Sequence, residues 1–434
     1  MLLRKRFFKN LCIRYRIIIG LFLFGWILFS IYHSRRRYSS QISREHFLKN
    51  TFCGKLINGN WQNTIEENQI NEINKYLREK LQIWENFNEN ISCKDFLRKY
   101  SLKKSFVDEN ERENPMAFTI LIYKNFYQFQ ILIETLYIQT NFYCIHIDLK
   151  ASKQIYEFAR ILSNCLENVF LLNQRFNISW GTFSILQVER LCQQILIERS
   201  SKWFYYMTIA GSELPIETNR NRLEILQLIN DKTRVDISSI PQYKNRQRSK
   251  VFPPPNNVTI YKGEFHTILT RKFLNEILHD NFSNEIFFYL NETSVPDEHF
   301  YSTLIQLKHL SSFQSRTSQF YPYYELLSHH KHWKGQPFTK CQSQIYFEGI
   351  CQFNYKDLFF IQQSHKLFLN KFNQDLDLIS IFCWNKWLNV KQNHHVTVNI
   401  HHYLNQFPFT TINSTFNSTF DEDFQKMIKY LYRE

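Results

Sequence analysis

Residues 117–148 read AFTILIYKNFYQFQILIETLYIQTNFYCIHID. An apolar run at 117–123 is followed by a segment with helical character, residues 126–140, and then by a second apolar run at 142–148. Continuous apolar runs that alternate with helices are typical of parallel strands that are buried on both faces of a sheet. The stretch therefore predicts a strand, a helix and a second strand.

The same alternation continues toward the C-terminus. We expect strands at 168–173 and 203–210, and helices near 152–163, 182–199 and 219–230. The pattern predicts an α/β fold of the nucleotide-binding type, with a mostly parallel, twisted sheet. It indicates no chemistry by itself, since the sequence contains no dinucleotide fingerprint, phosphate loop, nucleophile elbow or zinc-peptidase motif.

The formal net charge of +14 is concentrated near the N-terminus. Ten of the 53 Lys and Arg residues, and none of the 39 Asp and Glu residues, lie in residues 1–44. The remaining basic residues exceed the acidic ones by only four. This distribution argues against a nucleic-acid surface on a folded domain and favours a basic segment beside a membrane.

Residues 17–32 form an apolar run, IIIGLFLFGWILFSIY, between Arg14 and Arg16 on one side and three arginines at 35–37 on the other. The run predicts a transmembrane signal anchor, although it is short for a full span. A cleaved signal peptide is the alternative, but no small-residue cleavage site follows the run. The expected organisation is a cytosolic tail (1–16), the anchor (17–32), a stem (33–115), a lumenal catalytic domain (116–390) and a C-terminal extension (391–434).

Eight of the nine cysteines lie beyond the predicted anchor, and none of them belongs to a CxxC pair. An even number of cysteines without metal-ligand spacing indicates four disulfides in an oxidising compartment, with 105 possible pairings. Seven N-x-S/T sequons fit a lumenal location. In the stem, Ile73, Leu77, Leu81 and Trp84 recur at helical spacing and predict an amphipathic helix.

Five segments, in their order and spacing, resemble the core-2/I-branching β-1,6-N-acetylglucosaminyltransferase family, which includes the peptide xylosyltransferases. They are NFYCIHIDLKAS (141–152), WGTFSILQVERLC (180–192), YYMTIAGSELPIETN (205–219), VPDEHF (295–300) and LFLNKFNQDLDL (367–378).

The resemblance covers residues 50–390 and implies a GT-A fold, a UDP-sugar donor, a glycan or glycoprotein acceptor, inversion at the anomeric carbon and no essential metal. It also implies a single-pass type II protein of the Golgi membrane. A peptide xylosyltransferase remains an alternative, as does a catalytically inactive, membrane-tethered relative that binds glycans.

The resemblance implies a disulfide framework for the eight cysteines. The implied pairs are Cys53 with Cys383, Cys93 with Cys165, Cys144 with Cys192, and Cys341 with Cys351.

Glu298 matches the catalytic base of the family. Inverting transfer needs a carboxylate within hydrogen-bond reach of the acceptor hydroxyl, so that the proton can leave as the new bond forms. The same residues also suit an ordinary helix start, with Ser294 as the N-cap and acidic residues in the first turn.

The donor site implied by the resemblance contains Leu121, Tyr123, Asp148 and Lys371. Asp148 ends a predicted strand, where parallel sheets line nucleotide crevices. Tyr123 replaces a histidine of the family. Lys371 matches one of two diphosphate-binding positions, whereas Glu348 occupies the position of the second, which is an arginine in the family.

The implied acceptor site contains Asp236, Lys244 and Trp333. The segment between Trp333 and Cys341 is shorter than in the best-known members of the family and lacks a tyrosine expected there. Two D-x-D strings occur, at 375–377 and 421–423. Neither follows a core strand as in metal-dependent transferases, so we expect both to be solvated or structural.

Overall fold

The structure is a computed structural model. It describes residues 44–63, 65–85, 89–102, 107–229, 234–237, 240–241, 253–310, 314–315, 326–336, 340–394, 396, 398 and 403. The expectations for the anchor, the C-terminal D-x-D string and Lys244 fall outside these residues. Within the described part of the chain, no helix is both long enough and apolar enough to cross a membrane.

Most strands are short. In chain order they are β1 (Met116–Ile122), β2 (Phe142–Ile147), β3 (Val169–Leu171), β4 (Tyr205–Ala210), β5 (Leu214–Pro215), β6 (Arg234–Val235), β7 (Ile240–Pro241), β8 (Tyr261–Lys262), β9 (Ile268–Thr270), β10 (Gln314–Ser315), β11 (His329–His330), β12 (Tyr346–Phe347), β13 (Ile350–Cys351) and β14 (Phe368–Leu369).

The helices lie before, between and after these strands. They are α1 (Phe52–Ile57), α2 (Glu67–Glu85), α3 (Cys93–Lys99), α4 (Glu109–Glu113), α5 (Phe126–Leu136), α6 (Lys153–Cys165), α7 (Phe183–Arg199), α8 (Asn219–Ile229), α9 (Arg271–His279), α10 (Asn281–Tyr289), α11 (Phe300–Leu304), α12 (Leu358–Gln362) and α13 (Leu378–Asn393).

The chain divides into two compact units. Unit 1 contains the described residues of Met1–Asn177, Thr208–Arg222 and Leu327–Val398. Unit 2 contains those of Ile178–Met207, Leu223–Leu326 and Asn399–Glu434.

The sheet of unit 1 confirms the predicted parallel arrangement. β1 pairs in parallel with β2, from Ala117 opposite Phe142 to Ile122 opposite Ile147. β2 pairs in parallel with β3, and β4 follows β1 in the order β3-β2-β1-β4. Nearly every residue of β1 and β2 is buried, which explains why both strands are continuous apolar runs.

The helix after β1 is shorter than the sequence predicts. We expect it to continue to residue 140, but α5 ends at Leu136 and Tyr137 is already extended. The hydroxyl of Tyr143 accepts a hydrogen bond from the backbone N–H of Ile138, 2.7 Å away. This bond turns the chain toward β2, so a tertiary contact overrides the helical pattern.

Unit 1 also contains a second sheet, in the order β11-β14-β5. β11 runs parallel to β14, and β14 runs antiparallel to β5. Each strand has two residues, so the sequence carries no periodic signal for them. The sheet brings the chain around Glu213, His329 and Asn370 together.

The predicted stem helix is confirmed as α2, with Leu77 buried. The helix that ends at Asn393, α13, packs against α1 and α2. The disulfide Cys53–Cys383 joins α1 to α13. The loop spans 330 residues, and closing a loop of this length stabilises a fold by roughly 5–6 kcal/mol in the chain-entropy account. The disulfide therefore ties the described residues near α1 to α13 within unit 1.

Two more of the expected pairs are present in unit 1, Cys93–Cys165 and Cys341–Cys351. Cys144 and Cys192 are also oxidised to disulfides.

Unit 2 contains an antiparallel strand pair. Tyr205 to Met207 of β4 pair with β9, from Tyr205 opposite Thr270 to Met207 opposite Ile268. The strand begins two residues later than the predicted start at residue 203. Trp203 is buried and donates its indole N–H to the carbonyl of Leu196 in α7, at 3.0 Å, instead of extending the strand.

Candidate active site

Glu298 ends a short 3₁₀ turn, Pro296–Glu298, in unit 2. Val295 precedes the turn with φ 55, and its N–H donates to the carbonyl of Gly181 at 2.8 Å. A β-branched residue in the left-handed region is uncommon and tends to occur at functional sites. The prediction that Ser294 is the N-cap is wrong. Val295 occupies the N-cap position without a side-chain hydrogen bond, and Pro296 is the first residue of the turn.

The carboxylate of Glu298 is mostly enclosed, with 21% of the side chain exposed. Its Oε2 lies 3.3 Å from Nζ of Lys262, whose side chain is 15% exposed. The backbone carbonyl of Glu298 accepts hydrogen bonds from the N–H of Gly263 at 2.6 Å and from the hydroxyl of Ser302 at 3.2 Å. The candidate base is therefore fixed at its backbone and paired at its side chain.

Sequence reasoning missed Lys262. It lies in β8, which has only two residues, and no motif around it distinguishes it from a surface lysine. Trp180, also in unit 2, is the first residue of the segment WGTFSILQVERLC (180–192). It is 72% exposed and adjoins Gly181, the residue that binds Val295. An exposed tryptophan next to Gly181 provides an aromatic face on which a ligand could stack.

Asp148 follows β2 at its carboxyl end, in unit 1, and is buried. Its Oδ1 accepts from the N–H of Lys150 at 2.8 Å and lies 3.1 Å from Nζ of the same lysine. The guanidinium of Arg175 donates to the carbonyl of Asp148 at 2.7 Å. These bonds cap the strand end and also hold the carboxylate in one position, so the geometry fits both a structural cap of the strand and a carboxylate that binds the donor.

Tyr123 lies beside Lys150, the lysine that pairs with Asp148. Its ring is 50% exposed, and Nζ of Lys150 is 5.4 Å from the ring centroid. Leu121, two residues earlier in β1, pairs with His146 of β2, and its carbonyl accepts from the N–H of Gly211 at 2.9 Å. The structure therefore brings Tyr123 and Asp148 together around Lys150, at the carboxyl ends of β1 and β2.

His146 supports the same strand end from inside the sheet. Burial lowers the pKa of its imidazole from 6.5 to about 4, against the opposing effect of Asp148. Its Nε2 accepts from the backbone N–H of Phe176 at 3.0 Å, so the ring is neutral and Nε2 carries no proton.

Lys371 follows β14 in unit 1, after a cis peptide bond from Asn370. Burial lowers the pKa of its ammonium, while the carboxylates of Glu348 and Glu213 oppose that change. The ammonium lies over the ring of Phe347, 5.2 Å from the centroid. Phe347 and Glu348 belong to the β12–β13 hairpin, which the Cys341–Cys351 disulfide closes.

A buried polar cluster supports the residue before Lys371. The amide of Asn370 donates to Oε1 of Glu213 at 2.6 Å, and Nε2 of His329 lies 3.1 Å from Oε2. The backbone N–H of Ala210 donates to Oε2 at 2.8 Å. Sequence reasoning did not identify this cluster. Because a carboxylate and an imidazole are both possible metal ligands, the expected metal independence stays a prediction.

The expected acceptor residues are divided between the units. Asp236 is buried in unit 2 and forms a backbone bridge with Ile268. Trp333 is 36% exposed in unit 1 and packs on the turn at Gly349. Lys244 lies outside the described residues. Trp333 thus presents a partly exposed aromatic face, whereas the carboxylate of Asp236 is buried.

The D-x-D string at 375–377 is structural, as expected. Asp377 caps α13 and accepts from the N–H of Ile379 at 3.1 Å. Asp375 is exposed and lies 3.8 Å from Nζ of Lys124.

A protein-family profile and curated sequences identify the family of the chain. The profile of the family described as Core-2/I-Branching enzyme matches residues 116–361, more than half of the chain. The chain is 25% identical over 326 residues to the rat protein named beta-1,3-galactosyl-O-glycosyl-glycoprotein beta-1,6-N-acetylglucosaminyltransferase 3, covering 69% of this chain and 74% of the rat protein.

A bovine beta-1,3-galactosyl-O-glycosyl-glycoprotein beta-1,6-N-acetylglucosaminyltransferase is 23% identical over 389 residues. The alignment covers 81% of this chain and 88% of the bovine protein. Among solved structures, apo mouse xyloside xylosyltransferase 1 aligns with a TM-score of 0.28 and 9% identity, over 58% of this chain and 96% of the mouse chain. On the family match, the chain belongs to the Core-2/I-branching enzyme family and is a glycosyltransferase.

Proposed function

We propose that the protein transfers N-acetylglucosamine from UDP-N-acetylglucosamine to a glycan acceptor, forming a β-1,6 branch with inversion at the anomeric carbon. The names of the relatives support this donor and linkage. The observation that carries the proposal is the enclosed position of Glu298, whose side chain is 21% exposed and whose backbone is fixed by hydrogen bonds from Gly263 and Ser302. We further propose that the α/β fold is of the GT-A type.

In the proposed reaction, Glu298 accepts the proton of the acceptor hydroxyl. The hydroxyl oxygen forms a bond to the anomeric carbon while the bond from that carbon to the diphosphate breaks. UDP leaves with the bonding electron pair. A carboxylate that is only partly exposed suits this role, because it can reach the acceptor while the surrounding protein limits its contact with water.

Lys371 is the residue we propose to stabilise the departing diphosphate. A fixed cation can offset the negative charge that develops there, in place of a metal ion. At the other end of the donor, we propose that Asp148 and Tyr123 bind the uridine. A carboxylate can accept hydrogen bonds from ribose or uracil, and the exposed Tyr123 ring offers a face for stacking.

We propose that the acceptor sugar packs on Trp333. Apolar faces of sugars pack well on aromatic rings, and the Trp333 side chain keeps 36% of its surface exposed. Lys244 and Asp236 complete the proposed acceptor set.

The proposed location is the Golgi membrane, with a cytosolic N-terminus, an anchor at 17–32 and a lumenal catalytic domain. The basic flank, the seven sequons and the eight oxidised cysteines support it. Protease added to sealed microsomes should spare the region of Glu298, and digestion of that region would contradict the proposed topology.

The function can be tested with purified protein and two donors. UDP-N-acetylglucosamine is supplied with an acceptor that carries β-1,3-galactosyl-O-glycans, and UDP-xylose is supplied with serine-containing peptides. We expect transfer of N-acetylglucosamine, and a 10²–10⁴-fold loss of turnover in Glu298→Gln, which keeps the shape of the side chain but removes the base. Transfer of xylose alone, or full turnover by Glu298→Gln, would contradict the proposal.

A further inference from the structure

The segment that carries Glu298 is hydrogen-bonded to a neighbouring strand at several points. The backbone N–H of Tyr261 donates to the hydroxyl of Thr303 at 3.0 Å, and Nδ1 of His299 lies 2.9 Å from the carbonyl of Tyr261. The N–H of Gly263 donates to the carbonyl of Glu298 at 2.6 Å. These contacts flank Lys262 on both sides along β8. The backbones of Lys262 and Glu298 are therefore held in a fixed mutual position.

The side chains of Lys262 and Glu298 meet within this frame, with Nζ 3.3 Å from Oε2. Exposed ion pairs contribute little, because water screens them and ordering two long side chains costs entropy. This pair differs, since only 15% and 21% of the two side chains are exposed and both backbones are already ordered. β8 also pairs with β7, and Lys262 lies opposite Ile240. This pairing further fixes the backbone of Lys262.

We propose that Lys262 is a positioning residue for the general base. This inference rests on the proposed function of Glu298. Lys262 contacts Oε2 and thereby holds the carboxylate in the rotamer that faces the acceptor hydroxyl. The proton passes from the hydroxyl to the carboxylate of Glu298.

Geometry explains why such a residue would matter. A glutamate has three rotatable side-chain bonds, and a base that samples several rotamers is in reach of the acceptor for only part of the time. A misplacement of about 1 Å at a reacting group can cost roughly 10²-fold in rate. The proposal therefore predicts an effect on turnover and not on donor binding.

Three variants of Lys262 and Glu298 test the proposal, with kinetics measured for both substrates. Lys262→Met keeps an unbranched apolar stem without the charge, and we expect kcat to fall roughly 10–100-fold while the KM for the donor changes less than about twofold. Lys262→Arg restores a cation and should recover kcat to within about fivefold of the wild type. Lys308→Met is the matched control, because Lys308 is an exposed lysine of the same unit, and its kcat should not change.

The decisive comparison is the double variant. If Lys262 acts through Glu298, Lys262→Met should lower the residual rate of Glu298→Gln by less than about threefold, since the positioned group is no longer a base. An equal loss in both backgrounds, or no rescue by Lys262→Arg, would overturn the proposal.

The result also separates this inference from the proposed function. A strong loss in Glu298→Gln together with wild-type turnover in Lys262→Met would overturn the role of Lys262 alone. Full turnover in Glu298→Gln would overturn both.

A measurement that needs no activity tests the pairing itself. In urea unfolding, the midpoint shift of the double variant should be smaller than the sum of the two single shifts. Additive shifts would overturn the proposed pair.

Discussion

The ammonium of Lys371 lies 5.2 Å from the centroid of the Phe347 ring, in contact with the hairpin that carries Glu348 at its turn. The cation proposed to bind the diphosphate therefore lies on an aromatic face. The charge of Glu348 raises the pKa of this ammonium, against the effect of burial. In the related transferases that the sequence resembles, an arginine is expected at the position of Glu348. We therefore expect the proposed diphosphate site of this chain to have one cation fewer and one anion more than the resemblance implies.

The first prediction concerns Lys371. Replacement by alanine should weaken UDP binding by about 1–3 kcal/mol, as expected for the loss of a hydrogen bond to a charged group. Calorimetric titration with UDP measures the change. The control is Lys386→Ala, because Lys386 is an exposed lysine that also lies over a ring, 5.4 Å from the centroid of Phe382. Equal UDP affinity in both variants would contradict the assignment of Lys371.

The second prediction concerns Glu348. Its carboxylate favours the charged form of Lys371 but also repels an incoming diphosphate. Glu348→Gln removes the negative charge without a large change in shape, so UDP should bind roughly 3–10-fold more tightly, about 1 kcal/mol. The gain should disappear in a Lys371→Ala background if the two residues act on the same phosphates. Weaker UDP binding in Glu348→Gln would show that the carboxylate serves mainly to hold Lys371 in place.

The fold was more predictable than the site. β1, β2, α6, α7 and α8 follow from long apolar runs or clear helical periods, and the structure confirms them within a few residues. The second sheet of unit 1 could not be predicted, because β5, β11 and β14 have two residues each and owe their positions to tertiary pairing.

The same reason explains the residues that sequence reasoning missed. Lys262 can be recognised as a neighbour of Glu298 only in the structure, because the contact depends on hydrogen bonds between β8 and the segment of Glu298. Glu213 and Asn370 are 157 residues apart in sequence and meet only through β5 and β14. In contrast, Asp148 was predictable because the carboxyl end of a parallel strand can be located from the apolar run itself.

The third prediction concerns metal dependence. If Lys371 stabilises the departing diphosphate, turnover should continue in the presence of EDTA. The measurement is UDP release with and without EDTA, followed by addition of Mn²⁺. Turnover that vanishes with EDTA and returns with Mn²⁺ would contradict the prediction, and the buried Glu213 and His329 would then be the first residues to replace.

The last prediction concerns pH and His146. Burial lowers the pKa of this imidazole to about 4 in the folded protein, whereas an unfolded histidine titrates near 6.5. Between these values the unfolded state binds more protons than the folded state, so the free energy of unfolding should fall as the pH decreases from about 6.5 to about 4. A single group with such a shift contributes at most about 3 kcal/mol, and the full contribution is present above pH 6.5.

Replacement of His146 by glutamine keeps an acceptor for the N–H of Phe176. Because the glutamine side chain does not titrate, part of the acid sensitivity should disappear. Urea unfolding at pH 7.5 and pH 5 measures this, with exposed His279→Gln as the control. An unchanged pH dependence in His146→Gln would show that the imidazole is not held neutral at the end of β2.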